Sequence, residues 1–204
     1  ELPQLYENII ANQSINKCIV PSEWVKNSYL KNESSLEGKI EIWAVGIDSS
    51  FWNPSIIKHK TKSVLLYLKS FEEDLANQAE IILKNNNWKI EKIVYGNYTK
   101  NEFKKKLKKS QLAVFLSKSE SQGISLSESW SMNVPTLAWN PGKNIILNQE
   151  YKTSSCPYLT TQTGLEWKTI EEFESQIKNF EKLKNKFNPR KWILENMSNK
   201  ICAK

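Results

Sequence analysis

From Lys62 onward, short apolar runs alternate with amphipathic stretches, the signal for βαβ units around a parallel sheet. Ser63 to Leu68 (SVLLYL) is apolar nearly throughout, as strands covered on both faces are. From Glu72 to Asn85, Leu75, Ala79, Ile82 and Leu83 recur at helical spacing, and Glu72, Glu73 and Asp74 suit the positive end of that helix. A second strand, Ile90 to Tyr95, ends at Gly96, and the next helix, Thr99 to Lys109, carries Phe103 and Leu107 on its apolar side. Thr99 and Glu102 have the spacing of a capping box. A third strand, Leu112 to Leu116, runs into the polar loop SKSESQG. A helix from Ile124 to Met132 and a strand from Val134 to Trp139 close the unit at the turn Asn140-Pro141-Gly142. The pattern predicts an α/β fold: a Rossmann-like open parallel sheet with helices on both faces, whose ligands bind beyond the carboxyl ends of the strands.

The flanks are less regular. Residues 143 to 163 read as a polar loop with a short strand at Tyr158 to Thr160. Lys168 to Lys184 reads as a helix, and Asn188-Pro189 starts a last one through Trp192, Ile193, Met197 and Ile201. Ahead of the main unit come a short strand (Lys17 to Val20), a helix to Leu30 with Ser22 as its N-cap, and a strand at Ile40 to Val45.

Length and composition narrow the class. With 204 residues the chain suits one domain plus an appendage. Its 39% hydrophobic and 25% charged residues suit a globular protein. It has no apolar run of ~18 residues and no signal-peptide pattern at its start, so a cytoplasmic protein is expected. Residue 1 is Glu rather than Met, so a start that was trimmed, cloned or cut from something longer is expected. Cys18, Cys156 and Cys202 lie far apart without C-x-x-C spacing, and His59, in a polar linker, is the single histidine. Reduced thiols and no metal site are therefore expected. The net charge is +7, yet Arg190 is the only arginine, so 28 of 29 basic residues are lysine. A chain with almost no guanidinium forks is not expected to read nucleic acid. The run Lys104, Lys105, Lys106, Lys108, Lys109 reads most simply as a solvated helix face, with contact to an anionic membrane surface as the alternative.

The chemistry concentrates between Ser117 and Pro135 (SKSESQGISLSESWSMNVP). Glu120 sits in the loop after a buried strand, and Glu128 follows eight residues later on the helix that the loop feeds. Between them Gly123 lets a ligand approach the backbone, and the free amides of Gly123, Ile124 and Ser125 form an anion site at a helix N-terminus. Two carboxylates straddling an anion site suit a diphosphate flanked by two hydroxyl-bearing sugars. The competing reading is that two Glu eight apart are ordinary surface acids.

In this register the stretch VFLSKSESQGISLSESWSMNVPTLAW resembles the donor domain of the retaining glycosyltransferases of the GT-B fold, family 4, with their E-x7-E pair. IVPSEWVKNSYL resembles the end of that family's N-terminal domain, and IEIWAVGIDSSFWNP its interdomain segment. The resemblance covers about residues 15 to 204. It implies that Glu128 binds the ribose hydroxyls, that Glu120, as the catalytic residue, contacts the donor sugar, and that Gly123, Ile124 and Ser125 bind phosphate. It also implies that Lys69 lies on the diphosphate, though as a lysine at a strand end it is equally readable as surface. The family offers a second lysine where this chain has Asp74, and Lys118 is a candidate substitute. Tyr95, Asn97 and Tyr98 border the place of the nucleobase, with Tyr98 as a donor-binding candidate.

The division implied is residues 1–60 as a remnant of an acceptor domain with the interdomain segment, 61–188 as the donor-binding domain, and 189–204 as a helix crossing back. With the first domain incomplete, Trp192, Ile193 and Met197 are expected to be partly exposed. The resemblance implies metal-independent transfer from a nucleotide-diphosphate sugar with no cofactor, to a polysaccharide, lipid-linked or small-molecule acceptor, at the inner face of the membrane if the lysine run serves there. Rival readings are a non-catalytic sugar-nucleotide-binding module and a sugar-nucleotide epimerase, the latter disfavoured by the single histidine.

Overall fold

The computed structural model describes residue 12 and residues 14–54 and 62–203; His59 lies outside the described residues. Five parallel strands form the central sheet: β3 (Ser63–Lys69), β4 (Lys89–Val94), β5 (Leu112–Ser117), β6 (Thr136–Trp139) and β9 (Gly164–Trp167), in the order β4-β3-β5-β6-β9. The helices α2 (Glu73–Asn85), α3 (Lys100–Leu107) and α4 (Ile124–Ser131) alternate with the first four strands, and α5 (Ile170–Leu183) follows β9. Successive side chains of a strand point to opposite faces, and here both faces are apolar. Val64, Leu66 and Leu68 pack with Val114 and Leu116 under α2 and α5, where Ala79, Leu83, Phe173 and Ile177 are buried. Leu65 and Tyr67 pack with Ala113 and Phe115 on the other face, beneath Phe103 of α3 and Leu126 and Trp130 of α4. The expected Rossmann-like architecture is present.

The chain winds outward from β3 to β4, returns to the other side of β3 for β5, and then continues to β6 and β9. The reversal leaves a crevice at the carboxyl ends of β3 and β5, where helices diverge and ligands of such sheets bind. Lys69 and Ser117, the last residues of the two strands, are register partners there.

Several flanking expectations are corrected. Residues 143–163 are not a loop with a strand at Tyr158 to Thr160. They contain an antiparallel hairpin of β7 (Lys143–Ile146) and β8 (Gln149–Lys152), and Tyr158 lies in a turn. Helix α1 (Glu23–Asn32) follows β1 (Cys18–Val20), but the hydroxyl of Ser22 does not cap it; it donates to the carbonyl of Ser121 at 2.5 Å. Strand β2 (Ile40–Ile42), parallel to β1, stops short of Val45 because Gln122 claims that residue's backbone: Val45 N–H donates to Gln122 Oε1 at 2.9 Å, and Gln122 Nε2 donates to Val45 carbonyl at 2.7 Å.

The last helix is broken in two, α6 (Pro189–Asn196) and α7 (Asn199–Cys202). Ile193 and Met197, expected partly exposed, are buried at 0% and 2%. They pack in the cluster that holds Trp130 of α4, and Trp130 meets the half-buried Trp192 edge-on at 5.6 Å. The crossing helix thus finds its apolar partner within this chain. Between α6 and α7 the backbone pairs with the segment after β2: Ile47 N–H donates to Met197 carbonyl at 2.8 Å, and Asn199 N–H to Ile47 carbonyl at 3.0 Å.

Candidate functional site

The crevice at the switch point is occupied by a carboxylate. Lys69 Nζ donates to Glu120 Oε2 at 2.8 Å and Ser117 Oγ to Glu120 Oε1 at 3.1 Å. The two strand ends therefore converge on one side chain, and the Lys69 and Glu120 side chains are only 25% and 13% exposed. The ammonium also lies 4.4 Å from the ring centroid of Tyr95 at the end of β4, within cation–π range. An ammonium has three protons to donate, so the pairing with Glu120 leaves capacity for an anion.

Glu120 is held by its backbone as well. Its N–H donates to Ser154 carbonyl at 2.9 Å, and its carbonyl accepts the Trp24 indole N–H at 2.9 Å. Ser22 holds the next carbonyl and Gln122 holds Val45. Three consecutive loop residues, 120 to 122, are thus tied to elements outside the sheet.

Gly123 ends the loop at φ +76°, a left-handed backbone that glycine adopts without strain, and a Cβ there would meet Leu126 Cδ1 at 2.8 Å. Helix α4 starts here with no side-chain cap. The amides of Gly123, Ile124 and Ser125 have no acceptor among the described residues, which leaves the positive end of the helix open to an anion. Ile124 is 45% exposed. Ser125 Oγ lies 3.2 Å from Tyr67 Oη, which is 3.3 Å from Tyr98 Oη. Burial pushes the Tyr67 phenol well above its ordinary range, so it serves as a neutral hydroxyl linking the start of α4 to Tyr98, just ahead of α3.

Glu128 lies one turn beyond Ile124 on α4, on the side that carries Ser125. Its carboxylate has no hydrogen bond or ion pair among the described residues. Burial pushes its pKa up to about 7 from 4.5, partly opposed by the charge of Lys100 at the start of α3. A half-buried, unpartnered carboxylate costs stability, and such groups concentrate at functional sites.

Of the residues singled out from the sequence, Lys69 and Glu120 are thus in direct contact, Ser125 and Tyr98 are joined through Tyr67, and Glu128 follows on the same helix. Lys118 does not join them. It turns to Glu72 at 3.4 Å, an exposed pair, and lines a separate cavity of about 370 Å³ with Trp139, Asn144 and Glu150. Sequence reasoning missed Ser117, Tyr67, Trp24, Gln122 and Lys100. A lone Tyr inside the aliphatic run SVLLYL was a readable signal for Tyr67; nothing in the sequence points to Gln122.

Neither a family model nor a curated protein matches the chain. Solved structures do. A mutant of TarM from S. aureus, in complex with fondaparinux, α-GlcNAc-glycerol and UDP, is 19% identical with a TM-score of 0.72 over 98% of this chain and 45% of that one. WaaG, a glycosyltransferase involved in lipopolysaccharide biosynthesis, is 13% identical with a TM-score of 0.64 over 92% of this chain and 60% of that one. The C-terminal domain of the glycosyl transferase group 1 family protein LpcC from Francisella tularensis is 13% identical with a TM-score of 0.54, and the match takes in 74% of this chain and 98% of that domain. This chain spans about half the length of the TarM and WaaG chains it matches. At these identities the likeness is one of fold, the open parallel α/β sheet of GT-B glycosyltransferases.

Proposed function

We propose that this chain is the donor-binding half of a retaining glycosyltransferase of the hexosyltransferase type, which takes its sugar from a nucleoside diphosphate. The observation that carries this reading is the convergence of Lys69 and Ser117, from the two strands at the switch point, on Glu120, beside the uncapped start of the helix that bears Glu128.

Each residue then has a chemical task. Glu128 accepts hydrogen bonds from the ribose hydroxyls, which supply the partners that its carboxylate lacks. Glu120 faces the transferred sugar. Lys69 and the amides of Gly123, Ile124 and Ser125 neutralise the charge that grows on the leaving diphosphate, an electrostatic role that needs neither a protein nucleophile nor a divalent cation. Tyr98, held by Tyr67, whose hydroxyl also meets Ser125, borders the nucleobase. The acceptor enters from the side of residues 1–60, where a second α/β domain belongs in this reading. The lysine face of α3 suits work beside an anionic membrane surface in the cytoplasm. Among the described residues no helix is long and apolar enough to cross a membrane.

Calorimetric titration with UDP-, GDP- and ADP-sugars tests the proposal. One nucleotide class should bind and lose at least about tenfold in affinity, 1.4 kcal/mol, on Glu128→Ala. No binding of any class at millimolar concentration, or a Glu128→Ala variant that binds like the wild type, would overturn it.

A further inference from the structure

A second cavity, of about 480 Å³, opens between α1 and the segment that leaves β8. It shares no lining residue with the cluster of Lys69, Ser117 and the Glu120 side chain. Its volume falls in the range of small-molecule sites. Two of its walls are aromatic and fixed at their polar ends. The Trp24 indole donates to Glu120 carbonyl at 2.9 Å, and the Tyr158 hydroxyl to Pro21 carbonyl at 2.6 Å. Both rings are half-buried, so their rotamer freedom is already lost before anything binds.

Glu23, Asn27 and Lys152 also line this cavity. These three exposed side chains make no hydrogen bond or ion pair among the described residues. Together they offer donors and acceptors with no net charge. An anion would meet Glu23, a cation Lys152, and an apolar ligand would desolvate three polar groups without replacing their bonds with water. A neutral polyhydroxylated ring satisfies all the walls: its C–H faces lie on Trp24 and Tyr158, and its hydroxyl edge meets the amide, carboxylate and ammonium.

The cavity lies directly behind the loop of Glu120. Trp24 and Ser154, both lining it, hold the carbonyl and the N–H of Glu120, and Ser22, also lining it, holds the carbonyl of Ser121. We propose that this cavity binds a neutral saccharide ring of the acceptor; the identification as acceptor rests on the donor role argued above, whereas saccharide binding itself does not.

Saturation-transfer NMR on the full chain with maltotriose, cellotriose and chitotriose tests it, with UDP-, GDP- and ADP-sugars titrated in parallel. At least one trisaccharide should bind, and its affinity should fall at least about tenfold in Asn27→Ala and in Tyr158→Leu. Asn27 is exposed, so that variant keeps the fold, which an unchanged melting temperature verifies. Nucleotide-sugar affinity should be unchanged in Asn27→Ala. Absence of trisaccharide binding at ~20 mM, well above the ~1 mM of weak specific recognition, overturns the inference, as does equal binding by wild type and Asn27→Ala. If the trisaccharides fail while a nucleotide sugar binds, only this inference falls. If they bind while every nucleotide sugar fails, the saccharide site stands and its identification as an acceptor site is overturned.

Discussion

Replacing Glu128 by glutamine keeps the shape of the side chain and removes its charge, so the substitution isolates what burying that charge costs. Burial raises the carboxyl from 4.5 to about 7, against a smaller opposing pull from Lys100. The folded state therefore holds this proton more tightly than the unfolded chain does. Its stabilising contribution is fully present below a pH of about 4.5, is lost as pH rises, and is gone above about 7. A shift of this size corresponds to about 3 kcal/mol, and most of it develops between about pH 5 and pH 8. Glutamine does not titrate, so Glu128→Gln should gain on the wild type by about 2 kcal/mol over that interval. In a chain of this length that is a relative rise in melting temperature of about 4–8 °C. Urea denaturation of both proteins at several pH values across the interval reads the difference directly. A difference independent of pH, or one that shrinks toward pH 8, would refute the reasoning. The same variant should lose nucleotide-sugar affinity, so that a gain in stability accompanies a loss of binding, the pattern of a residue retained for a ligand.

Two further perturbations test how the crossing helix is fastened. Arg190 Nη1 donates to the carbonyls of Trp52 and Ser131 and Nη2 to that of Ser49, so Arg190→Lys should lose the fork that spans all three and cost about 2 kcal/mol in urea denaturation; a loss below ~0.5 kcal/mol, the scatter of ordinary surface changes, would contradict it. At Gly46 a Cβ would stand 2.7 Å from Asn199 Cα, so Gly46→Ala should push α7 off the segment at Ile47 at a cost of about 1–3 kcal/mol. Faster hydrogen exchange at the Asn199 amide is the expected signature, and unchanged protection would count against it.

The central sheet was legible because β3 and β5 are buried on both faces and say so in SVLLYL and LAVFL. Helix boundaries were read where side chains mark them, as in the capping box of Thr99 and Glu102. The hairpin was not legible. Its turn residues Leu147 and Asn148 both have positive φ, 50° and 61°, the geometry of a tight hairpin turn for which Asn-Gly or Asp-Gly is the usual signal. Leucine at the first of these positions hides it. Strand β9 is four residues with a polar member, too short to show a period. The broken last helix was hidden for another reason: an apolar spacing through Trp192, Ile193 and Met197 reads as one helix, and only the backbone pairing of Ile47 with the junction separates α6 from α7.

The candidate site shows the same limit. Glu120, Glu128 and Gly123 stand out because they lie close together along the chain, but two of the residues that tie down the loop of Glu120, Ser22 and Trp24, lie about a hundred positions away. Those two residues and Gln122 bond to backbone groups, and a backbone acceptor leaves no trace in the identity of its own residue. The single arginine is the sharpest case. From composition it argues against a nucleic-acid surface; in the fold its guanidinium, partly stripped of water, gathers three carbonyls, one of them from the last residue of α4. The negative end of a helix favours a cation. The helix that starts with open amides just after the Glu120 loop is therefore closed at its other end by a guanidinium that reaches three acceptors at once. Its position relative to Lys69 is set from both ends, by the loop tied to Ser22, Trp24 and Val45 and by the helix that crosses back at Arg190.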